Sequence, residues 1–117
     1  MKKITYLLLL CICFSFTQTE DSYQMTITKI SDAYNAKNAD SLFGLFSPDL
    51  QSSFTLDKVK SFITNNQSKK GSMGESSFLM DDDGNKRYLT EFENSSTILV
   101  LGLSSDNKIT HLSLEEY

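Results

Sequence analysis

From Glu20 to Ala36 the apolar side chains Tyr23, Ile27, Ile30 and Tyr34 recur at intervals of four, three and four residues. That spacing lines them along one stripe of an α-helix and predicts a long N-terminal helix. Leu42, Phe43, Leu45 and Phe46 predict a second, shorter helix, with Asn38 or Asp40 placed to cap its start. The pair Ser47-Pro48 should stop it, because a proline ring disfavours helical backbone at the residue before it. A third helix is predicted from Thr55 as N-cap. It carries Asp57 in the first turn, where the helix dipole favours negative charge, and Leu56, Val59, Phe62 and Ile63 on one face. Asn65-Asn66 is the expected end of that helix.

After Lys70 the period changes from helical to alternating, and turn residues appear at intervals suited to short antiparallel strands. A first strand is expected within Gly74 to Asp81, followed by Asp83-Gly84 as a two-residue hairpin turn, since glycine accepts the positive φ such turns need. A second strand, Lys86 to Glu93, sets Tyr88, Thr90 and Phe92 on one side and Leu89, Glu91 and Glu93 on the other. Asn94-Ser95 turns the chain into Thr97 to Leu103, whose run Ile98-Leu99-Val100-Leu101 suits a central strand covered on both faces. Ser105-Asp106-Asn107 makes the last hairpin. The final strand, Lys108 to Leu114, is expected to oppose Leu112 and Leu114 to Ile109, His111 and Ser113. Three helices followed by four strands predict an α+β fold, with N-terminal helices packed on a curved four-stranded antiparallel sheet. The Ser-, Lys- and Gly-rich stretch Gln67 to Gly74 is expected to be the most flexible interior segment.

The first residues change the picture of where this domain works. Lys2 and Lys3 precede an apolar run from Ile4 to Phe16, shorter than the roughly 20 residues of a membrane-spanning helix. This is the pattern of a secretory signal peptide, expected over 1–19 with cleavage between Thr17 and Glu20, leaving a single domain at 20–117 and no transmembrane span. The product is expected to be exported, to the periplasm or the medium. Both cysteines, Cys11 and Cys13, lie in the segment removed, and each follows a large residue, Leu10 or Ile12, where lipid attachment requires a small one. A lipoprotein is therefore not expected.

Loss of Cys11 and Cys13 leaves His111 as the lone Cys or His side chain, so no metal site of those ligands and no cofactor is expected. Removing Lys2 and Lys3 leaves 9 basic against 15 acidic side chains, a net charge of −6, and the basic residues are scattered apart from Lys69-Lys70 and Lys86-Arg87. Nucleic acid is not an expected partner. The run Asp81-Asp82-Asp83-Gly84-Asn85 invites comparison with a calcium loop, yet aligning Gly84 with the required glycine puts Leu79 and Thr90 at two ligand positions. It reads as a solvated turn. Ser105-Asp106-Asn107-Lys108 matches both S-x-x-K and S-D-N, but in a hairpin, with no K-T-G following. His111, facing either the helix-covered interior or solvent, is the single general-base candidate, with Glu91 as a conceivable carboxylate partner.

The segment from Ile30 through Asp40, followed by Leu42-Phe43 and Leu45-Phe46-Ser47, resembles the opening of small nuclear-transport-factor-2-like, or cystatin-like, domains. Leu56 to Phe62, a glycine at Gly71 or Gly74, and Asp106 to Leu112 extend the resemblance over about Ser22 to Leu114. The chain looks most like an exported bacterial domain of unknown function that often precedes a serine hydrolase of the beta-lactamase class. The resemblance implies a cone-shaped cavity between helices and sheet, with Phe43, Phe46, Tyr88 and Phe92 as candidate lining and His111 as a further pocket candidate. It also implies a non-catalytic accessory role toward a small apolar ligand or a protein partner, and it is compatible with a homodimer. The sequence ends at Tyr117 without a hydrolase, so that activity cannot be lent by analogy. A truncated or split relative of the hydrolase, and a small enzyme of the same fold using His111, are the alternatives.

Overall fold

Helix α1 spans Glu20–Asn35 and buries Tyr23, Thr26, Ile27, Ile30, Ala33 and Tyr34, the stripe expected from the spacing. The computed structural model describes residues 20–116, and the expected signal segment lies outside them. A left-handed Lys37 (φ 58°) lets the chain leave α1, and Asn38 then caps α2, Ala39–Phe43, by accepting the Ser41 N–H on its side-chain oxygen. Ser47 and Pro48 behave differently from expectation. The preceding helix already ends at Phe43 with Gly44 as its C-cap, so Leu45 and Phe46 lie beyond it; Ser47 Oγ accepts the Leu50 N–H and Pro48 opens a further helix, α3, Pro48–Ser53. A proline ring that opposes helix at the residue before it also holds the φ that a first helical position needs. Among the described residues, four helices therefore stand where three were expected.

Helix α4, Leu56–Lys70, runs past Asn65-Asn66. Asn66 Nδ2 donates to the Phe62 carbonyl at 2.7 Å and Gln67 Nε2 to the Tyr34 carbonyl at 2.5 Å, so amides that favour helix ends are used here to hold the helix to itself and to α1. Lys69 and Lys70 occupy the last turn, where the dipole favours positive charge. The stretch expected to be flexible is thus helix as far as Lys70 and strand from Met73, with Gly71 and Ser72 between them.

Strands β1 (Met73–Asp82), β2 (Asn85–Phe92), β3 (Ser96–Leu103) and β4 (Ile109–Glu116) form one antiparallel sheet in the order β1-β2-β3-β4. Asp83 and Gly84 make the expected tight turn with φ of 50° and 90°, the two positive values of a type I′ hairpin. One register departs from simple alternation. Gly102 pairs with His111 and Leu103 with Ile109, so Thr110 is an extra residue, and the bulge turns Ile109 onto the helix-covered face with Leu112. Ile109, expected opposite Leu112, is fully buried beside it in the core.

The helices cover the face that carries Tyr88, Phe92, Leu99, Leu101, Ile109 and Leu112. On the other face Ile98 and Val100 are also buried, outside that core. Their cover is ionic: Arg87 on β2 reaches Asp82 with Nε at 2.7 Å and Glu115 on β4 with Nη1 at 2.7 Å, so the side chain crosses β3 beside Val100. The aliphatic stem shields apolar surface while the guanidinium stays near water. The two-sided cover expected of β3 is present, with a strap of side chains in place of a second layer.

On the helix-covered face Ser76 and Thr90 share a hydrogen bond of 2.8 Å, whereas Thr97, paired with Thr90 on β3, buries its hydroxyl with no partner among the described residues. A buried hydroxyl without a partner costs about 1–3 kcal/mol, and an isosteric apolar group removes that cost. Thr97→Val is expected to raise stability by about 1 kcal/mol and the melting midpoint by about 4–8 °C. Calorimetry that found a lower midpoint would show that the hydroxyl is satisfied.

Candidate functional site

The candidate cavity-lining aromatics are packed in the interior, as aromatics at such spacings mostly are. Phe46, Tyr88 and Phe92 are 2 %, 0 % and 7 % exposed, and Phe43 is half-buried. Within the one core their ring contacts are separate. Phe43, Phe46, Phe54 and Phe62 follow one another at ring distances of 6.0, 5.1 and 5.6 Å, Phe92 packs edge-on to Tyr34 at 5.7 Å, and Tyr88 meets Phe78 at 5.7 Å. Clefts of about 530, 380, 310 and 70 Å³ open elsewhere on the surface, lined by other side chains. His111 lies exposed on the face away from the helices, 3.2 Å from Ser113 Oγ. It pairs across from Gly102, whereas Glu91 pairs with Ser96, six residues away along β3. That offset is about 20 Å, which rules out the acid–base pair considered for them.

The acidic run is occupied by its own hairpin: Asp81 binds Lys86 Nζ at 2.7 Å and Asp82 binds Arg87. Among the described residues no group of three or more His, Cys, Asp or Glu is placed to hold a metal ion, and no helix is long and apolar enough to cross a membrane. Asp106 accepts from Ser104 Oγ inside the β3–β4 loop, so the S-x-x-K match has no helix on which serine and lysine could share a face. Burial raises the Tyr34 phenol from 10.0 to about 12. Burial, and then the Glu20 carboxylate, push the Tyr88 phenol higher still. Both are therefore donors at neutral pH, Tyr34 to the Gly71 carbonyl at 2.9 Å and Tyr88 to Glu20 at 3.1 Å. These contacts fasten α1 to β2 and to the turn before β1.

The sheet has two edge strands, β4 and β1, and each is met by other backbone or side chains at its start. β4 is met at its start by a parallel bridge, with Ile109 N–H donating to the Leu45 carbonyl and Ser47 N–H to the Ile109 carbonyl, each at 2.8 Å. β1 has α1 beside it, and the contact is made by one side chain. Asn35 accepts the Met73 N–H at 2.8 Å and donates to the Met73 carbonyl at 3.0 Å, an amide occupying the place a neighbouring strand would take. Beyond Met73 the edge separates from the helix. A cleft of about 380 Å³ runs between them, with Gln24, Thr28, Ser31 and Asp32 on the α1 wall, Gly74, Glu75 and Ser76 on the β1 wall, and Ile27 inside.

Further along β1 come Phe78, Leu79 and Met80, 44 %, 45 % and 52 % exposed. The bulge at Leu79, between the pairs Phe78–Tyr88 and Met80–Arg87, spreads these three side chains over the edge and both faces. Lys86 holds its ammonium 5.1 Å from the Phe78 ring and 5.3 Å from Tyr23, bound to Asp81, which fixes the apolar tip against the start of α1. Chemically, an unpaired strand edge presents alternating N–H and C=O groups, here with a polar cleft at one end and apolar side chains at the other. Sequence reasoning placed the strand but missed its exposure. The signal was the uninterrupted Phe78-Leu79-Met80, which breaks the alternation a half-buried strand should show. Asn35 carried no signal, because its partner is 38 residues away.

Compared with family models, with curated proteins and with solved structures, the chain matches none of them.

Proposed function

We propose that this chain is an exported, non-catalytic binding domain that takes up an extended segment of a partner protein along the free edge of β1. The observation that carries the reading is the join of the α1–β1 cleft to the exposed Phe78-Leu79-Met80 on a single unpaired strand edge. An added strand would satisfy the open backbone groups, and its alternate side chains would meet the cleft and the apolar tip. Export rests on the basic, apolar and small-residue pattern of the first 19 residues. A long helix laid on an antiparallel meander supports grouping the domain with nuclear-transport-factor-2-like folds. A small apolar ligand held among Phe43, Phe46, Tyr88 and Phe92 finds less support, because these side chains pack on one another.

The test is selection of a random peptide library on the isolated domain, with the winning peptides mapped by amide chemical shifts. Peptides that shift and protect the amides of residues 75–82 are the expected result. Winners that map to the cleft between α1 and α2 around Lys29 and Gly44, or a selection that yields none, would overturn the reading.

A further inference from the structure

The cleft beside β1 has a one-sided charge. Asp32 on its helix wall and Glu75 on its strand wall are exposed, and neither makes an ion pair among the described residues. No basic residue lines it. Lys29, one turn before Asp32, lines the neighbouring cleft. Within β1 there is no Lys or Arg at all, and the basic residues nearest the strand, Lys86 and Arg87, are bound to Asp81 and Asp82. The two free carboxylates therefore mark the Met73 end of the edge and the apolar triplet marks the Asp82 end.

Resting on the strand-addition reading, we infer that the segment docked on β1 is cationic at one end and apolar at the other. It runs antiparallel to β1, with apolar side chains at alternate positions on the face of Phe78 and a Lys or Arg three to five residues later between Asp32 and Glu75. Antiparallel pairing is the slightly more stable mode and continues the pattern of this sheet. A second copy of β1 is a poor occupant, because it brings Glu75, Asp81 and Asp82 and no positive charge to an edge that already carries the same three acids.

The probes are short capped peptides of alternating valine and threonine with two lysines near the C-terminus, and the same peptides with two glutamines, with two glutamates, or with the lysines moved to the N-terminus. Titration into the isotopically labelled domain, read at the amides of residues 75–82, should show the C-terminal lysine form binding about tenfold more tightly than the glutamate form, with glutamine between. Asp32→Asn combined with Glu75→Gln should remove that preference, and salt should weaken only the lysine form. Equal affinities at β1 for all four peptides, or preference for N-terminal lysines, would overturn the charge and direction inferred here while leaving strand addition intact. Absence of any shift at β1 would overturn strand addition itself. Protection of β1 on concentrating the domain alone would identify a second copy as the occupant and overturn the inference.

Discussion

Truncating Phe46 to alanine is expected to lower the free energy of unfolding by about 3–5 kcal/mol, the cost of emptying a large aromatic site in a packed core. The ring is 2 % exposed and stacks between Phe43 and Phe54 at 6.0 and 5.1 Å, and Phe54 continues to Phe62 on α4. Its backbone lies in the parallel bridge to Ile109, flanked by the two hydrogen bonds that tie residues 45–47 to the start of β4. The side chain therefore joins α2, α3 and α4 to the sheet at a point where the backbone is held, and the neighbours cannot collapse freely into the space. A residue lining an open ligand cavity would behave otherwise, since removing it enlarges a space already present. Denaturant unfolding of Phe46→Ala decides between the two. A loss under about 1 kcal/mol, well below the usual cost of truncating a packed ring, would put Phe46 beside an opening and revive the cavity as a site.

Gly71→Ala is expected to cost about 2–3 kcal/mol through backbone strain and one displaced side chain. Gly71 ends α4 with φ 82° and ψ −156°, a region that residues with a Cβ scarcely enter. A Cβ built there lies 2.6 Å from Glu93 Oε1 and 2.8 Å from Glu93 Cβ, so the Glu93 side chain has to leave. It would abandon the Ser72 N–H, which it accepts at 2.7 Å, and disturb the join where Tyr34 donates to the Gly71 carbonyl. That hydrogen bond from Ser72 holds the Glu93 carboxyl below its ordinary value of 4.5. A carboxyl with a depressed folded pKa contributes stability that is present above the unfolded pKa and lost as the pH falls through the folded value. Acidification from about pH 6 to below the usual carboxylate range should therefore destabilise the native domain through this group. Gly71→Ala and Glu93→Gln should both flatten that limb, and thermal melts across the range measure it. An unchanged acid limb in Glu93→Gln would show that the contact contributes nothing.

Both substitutions fall at places the sequence describes unevenly. The α1 stripe was readable because i, i+3 and i+4 neighbours share a face whatever the rest of the chain does, and Tyr23, Ile27, Ile30 and Tyr34 are all buried. Asp83-Gly84 was readable for the same reason, since a two-residue turn is decided by the conformations its own residues accept. Pro48 shows the limit of local rules: a ring read as a helix stop begins the next helix, because its fixed φ suits a first helical position. The aromatic candidates were correctly placed on inward faces, yet facing inward does not distinguish a ring that lines a space from one that fills it. Contacts such as Phe46 to Phe54 and Phe92 to Tyr34 settle that question.

By itself, the sequence determined that helices precede four strands, the inward stripe of α1, the first hairpin turn and the acidic balance, because each depends on residues close together in the chain or on composition alone. The tertiary structure decided that β1 is an edge strand, that Asn35 bonds its first residue, and that Asp32 and Glu75 line one cleft. It also put His111 and Glu91 at opposite ends of the sheet and turned Ile109 inward through one extra residue at Thr110. These are consequences of which strands pair and in what register. Pairing brings together residues tens of positions apart, and a shift of one residue exchanges the two faces of a strand.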